Sequence, residues 1–113
     1  IIPTQCEYFA VQAIRSISGY IRRVRREYNP LLSYKLLITM FDRRGKLHTQ
    51  LYEKLKIYYA DAILDTVIGF DSKLRASQIA GQPITLYAPR TRSAAQYRNL
   101  AKEIVTYVQE KRL

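Results

Sequence analysis

The chain of 113 residues has no tryptophan, one cysteine (Cys6), one histidine (His48), one methionine (Met40) and four glycines. A single thiol excludes an internal disulfide, and one cysteine with one histidine offers no zinc-ligand spacing. Cys6 reads instead as a small buried apolar residue, which fits a reducing, intracellular compartment. No apolar run approaches the roughly 20 residues that span a bilayer, and no signal-peptide pattern opens the sequence. Neither G-x-x-x-x-G-K-[ST] nor G-x-G-x-x-G occurs, so both familiar phosphate cradles are missing. No nucleophile stands in a recognisable pairing with a base. His48 is isolated beside a basic turn, and Glu53, Asp61, Asp65, Glu103 and Glu110 are scattered over faces read as solvated. Such a chain is not expected to hydrolyse a nucleotide alone.

Acid is scarce. Nine Asp and Glu stand against 19 Lys and Arg, a formal net charge of +10. That imbalance is the electrostatic footprint of a nucleic-acid or anionic-surface binder. Residues 1–50 hold nine basic and three acidic side chains and residues 51–113 hold ten and six, so no single tail carries the excess. Hydrophobic content of 48% and charged content of 25% are ordinary for one globular domain of this length.

Periodicity gives an alternating α/β order. Residues 1–5 read as a short buried strand end, with Pro3 confining it to a terminal position. Ile14, Ile17, Ile21, Val24 and Tyr28 step by three and four along a helix over 8–28, which Asn29-Pro30 ends. Residues 34–41 form a strand apolar on both faces, the pattern of a covered parallel sheet. A second helix follows over 47–59, with Leu47, Leu51, Leu55 and Tyr58 as its inner face. Residues 63–68 are a β-branched strand. Residues 73–80 form a short helix stopped at Gly81, residues 82–87 are extended, and a last helix runs from Ser93, as N-cap, to Lys111, with Tyr97, Leu100, Ile104 and Val108 inward. The order implies a parallel sheet. Three strands make it thin, so an edge is expected to want a neighbour. The opening Ile1-Ile2-Pro3 reads as a strand already under way, so a piece of a longer chain is expected, and one that self-associates through uncovered apolar surface.

The basic residues are grouped. Arg22, Arg23, Arg25 and Arg26 crowd the first helix. Arg43, Arg44 and Lys46 follow the carboxyl end of the second strand, Lys73 and Arg75 that of the third, and Arg90 and Arg92 precede the last helix. Ligands of open α/β sheets bind beyond the carboxyl ends of the strands. A rim built there from distant loops is placed to meet phosphate with little sequence preference, whereas a solvated helix face is the plainer reading of residues 22–26.

Four ordered motifs resemble one family. They are Ile2-Pro3-Thr4-Gln5-Cys6-Glu7-Tyr8-Phe9-Ala10, Leu37-Ile38-Thr39-Met40-Phe41-Asp42, Gly81-Gln82-Pro83-Ile84 with Leu86-Tyr87-Ala88-Pro89-Arg90, and Ala95-Gln96-Tyr97-Arg98-Asn99-Leu100-Ala101-Lys102-Glu103. Together they are similar to the C-terminal half of the ParA/Soj-type partitioning ATPases of the MinD/ParA superfamily, over nearly the whole chain. The resemblance implies part of a P-loop-type, three-layer α/β/α fold. It also implies ATP and Mg²⁺ as cofactors of the full-length parent, with none expected for this chain alone. An ATP-dependent homodimer, nonspecific DNA and a ParB-type partner protein are implied as well, in chromosome or plasmid segregation at the cytoplasmic nucleoid. The phosphate loop and Mg²⁺-binding aspartates of such proteins lie upstream of this stretch. The family's DNA-contacting arginine falls on Arg44 and a second falls on Lys73, a change that keeps charge but loses the guanidinium fork. Arg43, Lys46, Arg75, Arg90 and Arg92 are expected to support them.

Met40, Gly69 and Asp71 fall on the adenine side. Relatives place Pro and Asn where this chain has Gly69 and Asp71, and a carboxylate lacks the amide's donor. A non-enzymatic α/β interaction module, or a degenerate relative without nucleotide hydrolysis, is the alternative. A membrane role of the MinD kind is disfavoured by a last helix read as ending at Leu113 with a core-like stripe and no apolar tail.

Overall fold

A computed structural model describes residues 1–112, the side chain of Arg112 excepted, so the expected helix end at Leu113 lies outside the described residues. The chain alternates as expected. Strand β1 is Ile2–Gln5, helix α1 Tyr8–Glu27, β2 Leu36–Phe41, α2 Lys46–Tyr58, β3 Ile63–Gly69, α3 Ser72–Ala80, α4 Ile84–Tyr87 and α5 Arg92–Arg112. The three strands form one parallel sheet in the order β1-β2-β3.

Alternation along β2 divides the core in two. Leu36 and Ile38 face the layer of α1 and α2, where they pack with Cys6, Ile14 and Leu55, all buried, and with half-buried Val11, Leu51, Tyr52 and Tyr59. Leu37 faces the other layer, with Leu64, Ile68 and Leu100 and the partly buried Leu74 and Ile104. Helices on both faces explain why β2 reads as an unbroken apolar run. Each fully buried Leu or Ile contributes about 1.5–3 kcal/mol of transfer free energy. Cys6 is wholly buried, and that burial pushes its thiol up to about 11, so it is apolar filling, as its place in the sequence implied. No helix among the described residues is long and apolar enough to cross a membrane.

Several local expectations are corrected. Leu47 and Tyr58 are largely exposed; the packed stripe of α2 is Leu51, Tyr52 and Leu55, continued by Tyr59 at its C-cap, a step around the helix from the expected face. Tyr28 and Val108 also sit outside the core. Residues 84–87 are one helical turn, not extended chain. Pro83, with φ −65°, is pre-set as its N-cap and accepts from the amides of Leu86 and Tyr87 at 3.0 and 2.9 Å, and Ile84 is drawn into the interior.

Ser93 lies inside α5. Thr91 caps that helix instead, its hydroxyl accepting from the Ala94 amide at 3.2 Å. As expected, α3 stops at Gly81, whose φ of 67° is the left-handed conformation glycine adopts without strain.

The sheet edge at β3 is managed by a side chain. Register slips between the Leu36–Ile63 and Ile38–Val67 pairs, and the amides of Asp65 and Thr66 donate to the Glu103 carboxylate at 2.6 and 2.9 Å. Partial burial raises the Glu103 pKa, but the hydrogen bonds from Thr66 and Asp65, with Lys35 nearby, outweigh it and hold the group below the usual carboxylate range. Glu103 therefore stays ionised where the bulge needs an acceptor.

Candidate nucleotide cleft and basic rim

The carboxyl ends of β2 and β3 open into two adjoining clefts. Strand β2 ends in strain: Met40 has φ 50°, a left-handed conformation without glycine, which costs on the order of 1–3 kcal/mol and is held by its surroundings. Strand β3 ends at Gly69, whose amide donates to the Gln96 side chain of α5 at 3.0 Å. From there the chain turns through Phe70 into α3.

Asp71 fixes that turn. One carboxylate oxygen accepts from the Lys73 amide at 2.8 Å, capping α3, and the other accepts from the Ser93 hydroxyl at 2.6 Å, tying α3 to α5. The Ser93 hydrogen bond, then the Lys73 amide, lower the Asp71 pKa. Both oxygens are thus engaged by the protein. Family resemblance implied that Asp71 lies on the adenine side, and Ser93 read as a helix cap; their mutual bond spans 22 residues and leaves no local pattern. The Asp-Ser-Lys helix-start signal, though, was readable.

The first cleft, about 520 Å³, has Met40, Ile68, Phe70, Leu74, Pro83, Ile84 and Tyr97 as apolar walls, with Thr39, Gly69, Asp71 and Gln82 among its polar ones. Met40 meets Gly69 and Asp71, which lie 29 and 31 residues further along the chain, here. Arg75 joins them. The second cleft, about 560 Å³, is lined by Phe41, Asp42, Arg43, Arg44, Gly69, Phe70, Asp71, Arg92, Ser93 and Gln96. Three arginines, two from the turn after β2 and one from the start of α5, far apart in sequence, line it. Gly69, Phe70 and Asp71 are a wall common to both clefts.

The basic turn is built locally. The Arg44 amide donates to the Asp42 carboxylate at 3.0 Å, an Asx-type turn, and the Asp42 amide donates to His48 Nδ1, also at 3.0 Å. His48 thereby acts as a strut for the turn. Lys46, opening α2, joins Arg43 and Arg44 around a shallow adjoining dip of about 230 Å³. Lys73 and Arg90 lie outside the walls of both clefts, Lys73 in the first turn of α3 and Arg90 in the exposed turn before α5. Among the described residues no three His, Cys, Asp or Glu are grouped to hold a metal.

Comparison with known proteins agrees with the motifs. No protein-family model matches the chain. The sporulation initiation inhibitor protein Soj of Bacillus subtilis is 38% identical over 105 residues, 92% of this chain and 42% of that protein. The chromosome-partitioning ATPase Soj of Thermus thermophilus is 32% identical over 111 residues, 97% of this chain and 45% of that protein. The chromosome partitioning protein ParA of Caulobacter vibrioides is 30% identical over 106 residues, 93% and 40% respectively. The chain spans less than half the length of each of these relatives. Over almost its whole described length, it belongs to the ParA/Soj-type family of partitioning proteins.

Proposed function

We propose that the chain is the C-terminal portion of a ParA-like partitioning ATPase, whose carboxyl edge receives the adenine end of ATP in the first cleft and nonspecific DNA on the rim of the second. The observation that carries this reading is the common wall Gly69-Phe70-Asp71, which sets a cleft of about 520 Å³ with largely apolar walls directly against a groove lined by Arg43, Arg44 and Arg92. Met40, Phe70, Pro83 and Tyr97 fit the flat face of a base. The phosphates and Mg²⁺ find no cradle among these residues and belong, in this reading, to the remainder of the protein, where hydrolysis takes place. Guanidinium forks match phosphate oxygens bidentately, and a loop-borne rim of this kind reads charge rather than sequence. An ATP-dependent homodimer, a ParB-type partner and a nucleoid location complete the proposal.

Duplex binding by the intact protein with ATP and Mg²⁺, at two salt concentrations, tests it. The Arg44→Ala/Lys73→Ala variant is expected to bind more weakly, with the salt slope reduced by about one unit for each phosphate no longer neutralised. Unchanged affinity would overturn the assignment. One observation favours a second reading, a degenerate module without nucleotide: the Asp71 carboxylate is already engaged by Lys73 and Ser93. Calorimetry on the intact protein separates the two, since a degenerate module gives no heat with ATP and Mg²⁺.

A further inference from the structure

The arginines of α1 take no part in the rim, and the structure gives them a different setting. A cleft of about 530 Å³ is lined by Arg15, Ser18, Ile21, Arg22 and Arg25 of α1 with Tyr34 and Tyr59. Tyr34 precedes β2 and Tyr59 follows α2, so this cleft lies at the amino end of the sheet, opposite the rim. Its walls include three arginines and no acidic residue. Arg25 is pre-set: its Nε donates to the Leu32 carbonyl at 2.5 Å and its guanidinium lies 5.9 Å from the Tyr34 ring centroid, leaving its terminal amino groups for a ligand. Arg23, in contrast, is spent on Glu27 at 3.4 Å. The rise of 1.5 Å per residue lines Arg15, Arg22 and Arg26 along one side of α1 over about 16 Å.

We propose that this cleft and the arginine line beside it are a second polyanion site, binding the phosphodiester backbone of a nucleic acid. The pattern is all donor, and forked guanidinium groups match phosphate oxygens. Duplex DNA carries one charge per about 1.7 Å of axis, so a line of about 16 Å meets several phosphates at once. An acidic peptide fits less well. It would need apolar anchors or a free strand edge, whereas Ile21 is the one aliphatic wall residue and β2, beside Tyr34, is paired on both sides. With sites at opposite ends of a body measuring 42 × 34 × 24 Å, one molecule would touch two duplex segments.

The site goes beyond the rim and is tested with the rim disabled, so the two readings fail separately. Intact protein carrying Arg43→Ala, Arg44→Ala and Arg92→Ala is titrated with a short labelled duplex of arbitrary sequence over a range of salt. Residual binding is expected. Adding Arg15→Gln and Arg22→Gln is expected to lower the remaining salt slope by about two units, without change in circular dichroism or thermal midpoint, because both side chains are exposed. Lys54→Gln with Lys102→Gln removes the same charge from exposed positions elsewhere and is expected to have less than half that effect. Absence of residual binding, an equal loss in the lysine control, or a poly-glutamate peptide binding as tightly as the duplex would each overturn the proposal.

Discussion

The two basic regions are built in different ways. At the amino end, one regular helix supplies every guanidinium, and no carboxylate lines the cleft. At the carboxyl end, Arg43 and Arg44 come from a turn, Arg92 from the start of α5, and Asp42 and Asp71 sit among them. The acids there are architectural: Asp42 accepts the Arg44 amide, and Asp71 caps α3 and holds Ser93. The amino cleft carries its charge without acidic scaffolding, Arg25 being held by the Leu32 carbonyl and the Tyr34 ring, whereas carboxylates hold the loops of the carboxyl rim. Substitutions that leave every arginine in place should therefore disturb the second region and spare the first.

Asp71→Ala is expected to show the difference most strongly. It removes an N-cap, a loss of about 1 kcal/mol, and leaves the buried Ser93 hydroxyl without its acceptor, costing on the order of another 1 kcal/mol. Urea unfolding should show a destabilisation of roughly 2 kcal/mol. A smaller effect follows at the neighbouring turn. His48→Ala takes the acceptor from the Asp42 amide, and duplex affinity of the intact protein is expected to fall by about threefold with the net charge of the arginines untouched. An unchanged affinity would mean that the turn holds its shape without the strut.

The smallest effect is on pH. The Asp71 pKa is lowered in the folded protein, so its contribution is present above the unfolded value of about 3.9 and is lost as pH falls through the lower folded value. The stability advantage of the wild type over Asp71→Asn should hold at pH 5 and above and shrink below about pH 4. For Arg22→Gln, in a cleft without a carboxylate wall, the difference from wild type should stay flat over the same range. Paired thermal melts would expose either departure.

The same contrast explains what the sequence made legible. β2 was readable because Leu36, Leu37 and Ile38 are each buried, and burial on both faces is what an unbroken apolar run encodes. Gly81 was readable because the left-handed stop of a helix selects glycine. Residues 84–87 were misread because Ile84 and Thr85 favour strands, while the preceding Pro83 and the burial of Ile84 decided for a turn of helix. The clustering of Met40, Gly69 and Asp71 was reached through family resemblance. The contribution of Arg92 to the groove was readable as charge but not as position, since Lys73 and Arg90, equally basic, lie outside its walls. Ser93, Gln96 and Glu103 were missed as structural partners because each bonds to a group more than 20 residues away, where local periodicity carries no signal.

On the proposed reading, the carboxyl-end groove, rather than net charge at large, meets DNA. That reading is tested most directly by the salt dependence of duplex binding by the intact protein with ATP and Mg²⁺, comparing wild type with Arg43→Ala/Arg44→Ala/Arg92→Ala. A fall in slope of about two to three units is the expected result. A slope equal to that of the wild type would mean that these three arginines do not meet the duplex.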